Sequence, residues 1–88
     1  MMKLIIFASD PVFRATYEQG IEVALNLAEA ELPVKAVMIG DFYRSYQNAA
    51  PNAVFRKKIK QLELFSLELL PPQNLTALLK KSDGVMSF

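Results

Sequence analysis

The chain has 88 residues, of which 52% are hydrophobic, with ten basic and nine acidic side chains and with neither cysteine nor histidine. The absence of these two residue types excludes thiol chemistry, disulfide bonds and thiolate or imidazole metal sites from this sequence, and it removes the commonest general base. A net charge of +1 gives no electrostatic basis for binding nucleic acid or an anionic membrane, so neither is expected as a partner.

The length fits a single small domain over residues 1–88. So small a domain cannot bury this much apolar surface completely, and the surplus is expected at a partner site. The longest apolar run, residues 4–8, is too short to cross a bilayer. Residues 1–3 precede it and no small-residue cleavage site follows, so we expect no signal peptide and a cytoplasmic location.

The first predicted elements are a buried strand and an amphipathic helix. Residues 3–8 form a continuous apolar run, which is typical of a strand covered on both faces. The helix has two candidate starts: Asp10-Pro11, because proline is favoured at the first helical position, and residues 16–19 (TYEQ), which fit a capping box. We expect the helix to end near Glu31, before Pro33.

Residues 34–40 predict a second strand. A short aromatic stretch with Phe42, Tyr43 and Tyr46 follows it, without a predicted element of its own. These aromatic side chains are candidates for an interface or a pocket. Packing between helix and sheet is the equally weighted alternative, because tyrosine serves both roles.

A second helix is expected over residues 55–62, where apolar side chains recur at i, i+4 and i+7. Residues 64–70 predict a third strand, which Pro71-Pro72 ends. A last helix with Leu75, Leu78 and Leu79 on one face, closed by Lys80, Lys81 and Gly84, and a short strand over residues 84–88 complete the pattern.

Strands that alternate with helices predict right-handed crossovers and a parallel sheet. We therefore expect a three-layer, flavodoxin-like α/β domain with four parallel strands in the order 2-1-3-4. Strand 1, the most uniformly apolar, should lie centrally. The first helix should cover one face of the sheet and the other two helices the opposite face. No tight-turn dipeptide joins two strands, so no β-hairpin is expected.

Four polar residues are candidates for binding loops at the strand ends: Ser9 and Asp10 after strand 1, Asp41 after strand 2, and Arg14. Ligands of open parallel sheets bind beyond the carboxyl ends of the strands. Ordinary turn and cap chemistry is the favoured alternative.

Two loop carboxylates are too common to indicate Mg²⁺ specifically. The three glycines are far apart in the chain, so the sequence contains neither the dinucleotide-binding fingerprint nor a P-loop motif. We therefore assign no metal, cofactor or catalytic residue.

One face of strand 3 is a further candidate interface. Its alternation places Leu64, Ser66, Glu68 and Leu70 on the part of the sheet that the predicted helices leave bare. A glutamate there would be costly to bury without a partner, whereas the leucines beside it favour a protein contact. Open edges at strands 2 and 4 offer a second route to association.

Three stretches carry a family resemblance through their order and spacing. The first is residues 3–9 with the helical segment 18–25, the second is residues 37–42, and the third pairs residues 59–65 with residues 82–88. Together they resemble the DsrE/DsrF/DsrH-like family of sulfur-relay proteins, most closely its DsrF/TusC-type subunit. Subunits of that type often close with a similar ending, from an aspartate to a phenylalanine.

The resemblance implies a place in a sulfur-relay assembly, in which a DsrE/TusD-type subunit carries sulfur as a persulfide on a cysteine. That cysteine lies near the end of the third strand or the start of the next helix, which corresponds to residues 69–74 here, where no thiol is present. The resemblance therefore implies a non-catalytic subunit of a homo- or hetero-oligomer, with a cysteine-bearing DsrE-like partner, and not an enzyme. The alternative is a small-molecule or anion binding module, or a weak enzyme, that uses the loops after strands 1 and 2. A third reading is a homo-oligomeric scaffold.

Overall fold

The computed structural model describes residues 2–50, 53–65, 67 and 69–88. Within them the predicted α/β class is confirmed. The strands are β1 (Lys3–Phe7), β2 (Val34–Met38), β3 (Leu69–Leu70) and β4 (Gly84–Ser87). The helices are α1 (Arg14–Glu29), α2 (Gly40–Asn48), α3 (Val54–Glu63) and α4 (Leu75–Lys81), with a 3₁₀ turn over Pro72–Asn74.

All strand pairs are parallel, as predicted, but their order is β3-β2-β1-β4, so the predicted order 2-1-3-4 is wrong. β1 does lie centrally, between β2 and β4. The difference concerns β3, which pairs with the outer side of β2 through Ala36↔Leu69 and Val37↔Leu70. A layered α/β architecture is shared with flavodoxin-like folds, whereas this order is that of the first four strands of a doubly wound dinucleotide-binding sheet. Apolar patterning cannot choose between the two orders, because both bury β1 and allow right-handed crossovers.

The helices are distributed unequally over the two faces of the sheet. α1, α2 and α3 share one face, where they form the main core with β1 and β2. α4 lies on the other face, where Leu78 packs on Leu4, Ile6 and Val37. The predicted division of one helix against two is therefore wrong. Crossovers from β1 to β2 and from β2 to β3 run in the same direction and place their helices on the same face, whereas the return to β4 reverses direction.

The main core is a single cluster of buried side chains from three helices, the sheet and the segment before β3. Its members are Ile5, Phe7, Tyr17, Ile21, Ala24, Ala36, Met38, Phe42, Ile59, Leu62 and Leu67.

α2 is the helix that the sequence pattern does not predict. Phe42 from its first turn is fully buried in the main core, and Tyr43 and Tyr46 pack against the same cluster. Gly40 begins the helix with a left-handed backbone conformation (φ 56°), where the chain turns after β2. Glycine adopts this conformation readily because it has no Cβ to clash with the backbone. Three aromatic residues within five positions are compatible with either a helix or a loop. The helix forms because Phe42 packs into the main core, a contact that the local sequence does not show.

Both predicted starts of α1 are wrong. The helix begins at Arg14, after Phe13, so Thr16 lies inside it and no side chain caps it. Asp10 forms a turn before the helix, where its Oδ1 accepts a hydrogen bond from the N–H of Val12 at 3.0 Å. Aspartate stabilises such a turn as readily as a helix cap, which is why the local pattern misplaced the boundary.

α1 ends at Glu29, two residues before the predicted end, in a Schellman motif. The N–H of Glu31 donates to the carbonyl of Ala28 at 3.0 Å, and the N–H of Leu32 donates to that of Leu27 at 3.0 Å. Glu31 takes the left-handed conformation (φ 60°) that this motif requires and that glycine usually supplies. The motif turns the chain toward β2 and leaves Leu32 47% exposed.

Among the residues of the predicted strand 64–70 that the structure describes, those of β3 alone are in a strand. Leu64 and Phe65 form a turn that closes α3, with the N–H of Phe65 donating to the carbonyl of Leu62 at 3.0 Å. Both side chains are exposed, Leu64 to 83%. An apolar run predicts burial. Here, however, the first two residues of the run, Leu64 and Phe65, form the turn that ends α3 and are therefore exposed.

The candidate interface on this segment is corrected accordingly. Leu64 belongs to the turn, and Leu70 is half-buried in the cluster on the α4 face. Ser66 and Glu68 lie outside the described residues. The bare face expected beneath strands 3 and 4 is wrong, because β3 lies beside β2 and three helices share that face.

The last helix and the last strand lie where the pattern predicts them, and Gly84, predicted to close the helix, begins β4. β4 and β3 form the edges of the sheet, so the expected open edge is confirmed at strand 4 and wrong at strand 2. Phe88 extends the ladder, since its N–H donates to the carbonyl of Ile6 at 2.7 Å and its carbonyl accepts from the N–H of Ala8 at 2.7 Å. No helix in the described part of the chain is both long and apolar enough to cross a membrane.

Candidate functional site

The carboxyl ends of β1 and β2 lie side by side, as a parallel pair requires. Ser9 and Asp10 follow β1, and Asp41 lies in the first turn of α2 after β2, so three of the four predicted binding residues share one edge of the sheet. The two loops are joined where the N–H of Phe42 donates to the carbonyl of Ala8 at 3.4 Å. The fold therefore brings these residues to the edge where α/β domains bind ligands.

The charged side chains at this edge are engaged in local contacts. Asp10 accepts a backbone hydrogen bond within its own turn. Oδ1 of Asp41 lies 3.4 Å from Nη1 of Arg44 on the same helix. Arg14 pairs with Glu18, one turn further along α1. These contacts, one turn hydrogen bond and two ion pairs within single helices, favour an ordinary structural role over a ligand site, although neither α1 nor α2 has a side-chain cap. Within residues 2–50, 53–65, 67 and 69–88, no group of three or more Asp and Glu side chains is placed to hold a metal ion.

A bridging ion pair links α1 to α3. Oε1 of Glu18 accepts from Arg14 Nε at 2.7 Å and from Lys58 Nζ at 2.5 Å. The hydrogen bonds from Lys58 and then Arg14 lower the pKa of the Glu18 carboxyl. The same contact with Glu18 raises the pKa of the Arg14 guanidinium. Sequence reasoning missed this contact because Glu18 and Lys58 are 40 positions apart.

The lowered pKa of Glu18 predicts an acid-sensitive contribution to stability. A carboxyl with a depressed folded-state pKa stabilises the fold above its unfolded value of about 4.3, and the contribution is lost as pH falls through the folded value. We expect Glu18→Gln to unfold at lower urea concentration than the parent protein at pH 7, and the difference to shrink toward pH 3. Urea unfolding followed by far-ultraviolet circular dichroism measures both midpoints.

Glu22→Gln is the matched control, since Glu22 lies on the same helix and forms no ion pair within the described residues. It should shift the midpoint much less at pH 7. A Glu18→Gln difference that stays constant from pH 7 to pH 3 would contradict the bridge.

A shallow groove of about 220 Å³ runs beside this bridge, between α1 and α3, and we call it the α1–α3 groove. It is lined by Glu18, Ile21, Glu22, Leu25, Asn26, Glu29, Lys58 and Gln61. Ile21 is buried and Leu25 half-buried, so the lining combines apolar surface with carboxylates.

The aromatic segment of α2 packs inward. Phe42 is fully buried and presents no side-chain surface, so the predicted interface loses this residue. Tyr43 and Tyr46 are half-buried against the main core. The Arg56 guanidinium stacks 4.6 Å from the centroid of the Tyr46 ring, and its Nε donates to the Tyr46 carbonyl at 3.0 Å. These contacts favour the packing interpretation of the segment.

A second groove, of about 270 Å³, lies at the amino edge of the sheet, where α1 leads into β2 and α3 leads toward β3. We call it the amino-edge groove, and its lining is Ala28, Glu31, Leu32, Pro33, Val34, Phe65 and Leu67. Leu32 and Phe65 contribute large apolar side chains that are 47% and 46% exposed. Leu64 precedes Phe65 in the chain but does not line the groove; among the predicted interface residues that the structure describes, it is the one that is exposed.

Sequence reasoning missed the amino-edge groove because its two main residues are more than 30 positions apart along the chain. The available signal was Leu32, an apolar residue between Glu31 and Pro33 that belongs to no predicted helix or strand. Fold and surfaces together define a small parallel α/β domain with exposed apolar side chains at both edges of its sheet, Leu32 and Phe65 at the amino edge and Val12 and Phe13 at the carboxyl edge. Comparisons with protein-family models, with curated proteins and with solved structures find no match to this chain.

Proposed function

We propose that this chain is a non-catalytic association subunit of a DsrE-like sulfur-relay assembly, and that it binds a cysteine-bearing subunit through the amino-edge groove. The observation that carries the proposal is the pairing of Leu32 and Phe65, two half-exposed large apolar side chains that line one groove. The sequence resemblance to the DsrF/TusC-type subunit supplies the class of assembly.

The energetics of the amino-edge groove suit a protein contact. Covering the exposed half of each side chain would contribute about 1 kcal/mol, from roughly 25 cal/mol per Å² of apolar area. Backbone hydrogen bonds hold both segments, through the Schellman motif at Leu32 and the helix-closing turn at Phe65. Preformed backbone of this kind loses little conformational entropy when a partner binds.

The chemistry of sulfur relay assigns the carrier role to the partner. A persulfide forms on a thiolate, and neither serine nor lysine can replace it. This chain has no cysteine, so the carrier thiol of such an assembly belongs to another subunit. The alternative of a binding module at the strand ends has weaker support, because Asp10, Arg14 and Asp41 are engaged in local contacts.

We expect the double variant Leu32→Glu/Phe65→Glu to weaken association by about tenfold or more, because two apolar contacts are lost and two charges must be desolvated. Sedimentation velocity at micromolar concentration measures this for the protein mixed with a purified cysteine-bearing DsrE-like subunit. The same measurement on the protein alone detects binding of a second copy.

Val12→Glu is the control, because Val12 is 75% exposed and lies in the loop at the carboxyl edge of the sheet. It should leave association unchanged, and circular dichroism should show all variants folded. A parent protein that stays monomeric and does not bind the cysteine-bearing subunit would overturn the proposal. Weakening by Val12→Glu alone would move the interface to the carboxyl edge.

A further inference from the structure

The α1–α3 groove has the features of a docking site separate from the amino-edge groove. Its apolar surface comes from the half-buried Leu25 and from the exposed edge of Ile21, which lies one helical turn away on α1 and is otherwise buried. Glu22 and Glu29 lie on one side of the same helix, seven positions apart, which corresponds to about 10 Å along its axis. Two carboxylates therefore lie in a row beside a small apolar surface.

The charges around the groove are unbalanced. Glu18 is paired with two cations, Arg14 and Lys58. Glu22 and Glu29 form no ion pair within the described residues and are exposed. The groove therefore carries two acidic groups that complement a positively charged partner.

The size and openness of the groove favour a protein segment over a small molecule. Small-molecule pockets enclose their ligand and usually span about 300–1,000 Å³, whereas this groove holds about 220 Å³ and is open along one side. A space of that volume accommodates one or two side chains. Amphipathic segments bind helical grooves in this manner, with apolar residues inside and charged residues at the rim.

We propose that the α1–α3 groove binds a cationic amphipathic segment of a partner protein. An apolar side chain of that segment lies on Ile21 and Leu25, and its lysine or arginine residues pair with Glu22 and Glu29. The inference deepens the proposed association role by assigning a second contact surface with its own charge preference. Failure of the two proposals is distinguishable, because they are tested at different grooves with different variants.

The probe is a fluorescein-labelled, short amphipathic peptide of leucine and lysine, and binding to the full chain is followed by fluorescence anisotropy. We expect it to bind more tightly than a leucine–glutamate peptide of the same pattern, and to bind less tightly as salt is raised. Glu22→Gln and Glu29→Gln should each weaken binding by about two- to fivefold, the range for exposed ion pairs.

Glu63→Gln is the matched control, because Glu63 is exposed on α3, does not line the groove and carries the same charge. It should leave binding unchanged. Equal binding of the two peptides, or equal weakening by Glu63→Gln, would overturn the proposal, since nonspecific charge attraction would then explain the result. Spermine binding as tightly as the peptide, with the same dependence on Glu22 and Glu29, would overturn it in favour of a small-cation site.

Discussion

Replacing Phe42 with alanine is expected to destabilise the protein by about 3–5 kcal/mol, the usual cost of removing a buried phenylalanine ring. Phe42 is fully buried and stacks on Phe7 with 5.2 Å between ring centroids. Its ring also lies 6.2 Å from that of Tyr17 and 6.0 Å from that of Phe55. The substitution therefore opens a cavity where α1, α2, α3 and the sheet meet. Small domains have a total stability of about 5–15 kcal/mol, so much of it would be lost.

Urea unfolding followed by far-ultraviolet circular dichroism is the measurement, since the chain has no tryptophan. Phe13→Ala is the matched control, because Phe13 is 63% exposed and should change stability by less than about 0.5 kcal/mol. Phe42→Leu keeps part of the volume and should cost roughly 1–2 kcal/mol, which retains a measurement if the alanine variant does not fold. A loss below about 1 kcal/mol for Phe42→Ala would contradict the placement of α2 on the main core.

Gly20→Ala should destabilise the protein although alanine is the better helix former. A Cβ built at Gly20 would lie 2.6 Å from Cε1 of Phe7 and 3.0 Å from Cδ2 of Phe88. Phe7 is fully buried and stacked on Phe42, so its ring has no room to move away. Overpacking costs about 1–3 kcal/mol and exceeds the gain of about 1 kcal/mol in helix propensity. We expect a net loss of about 1–2 kcal/mol in the same unfolding assay.

Gly84→Ala tests whether the effect of Gly20→Ala arises from contact with a rigid ring. A Cβ at Gly84 meets the side chain of Lys3, with Nζ at 2.9 Å, and that flexible, half-exposed chain can shift. This variant should stay within about 0.5 kcal/mol of the parent protein. A stabilising effect of Gly20→Ala would show that α1 does not approach β1 as closely as the structure describes.

The side chains replaced in the association experiments lie outside the main core. Gly20 and Phe42 pack closely on the face that α1, α2 and α3 cover. The two proposed contact surfaces lie elsewhere, one between α1 and α3 and the other at the segments that follow these two helices. Variants at Leu32, Phe65, Glu22 and Glu29 therefore change surface groups and leave the main core intact.

The class of the fold and the positions of most elements follow from local patterning along the chain. The continuous apolar runs at β1 and β2 require cover on both faces, and only helices between parallel strands supply it. The helical spacing of Phe55, Ile59 and Leu62 similarly located α3. In these segments the local pattern correctly predicts which residues are buried, because burial requires only apolar surroundings. It does not depend on which apolar residue provides the contact.

Local patterning does not predict where β3 pairs, which face each helix covers or which apolar residues stay exposed. These outcomes depend on contacts between segments far apart in the chain. Residues 64–70 have the composition of a strand, yet the turn that closes α3 contains Leu64 and Phe65 and leaves both exposed, with Phe65 in the same groove as Leu32. The Glu18–Lys58 bridge and both grooves likewise arise only when α1 and α3 pack on the same face of the sheet. Apolar patterning specifies that a residue is buried or paired, whereas packing geometry selects its partner.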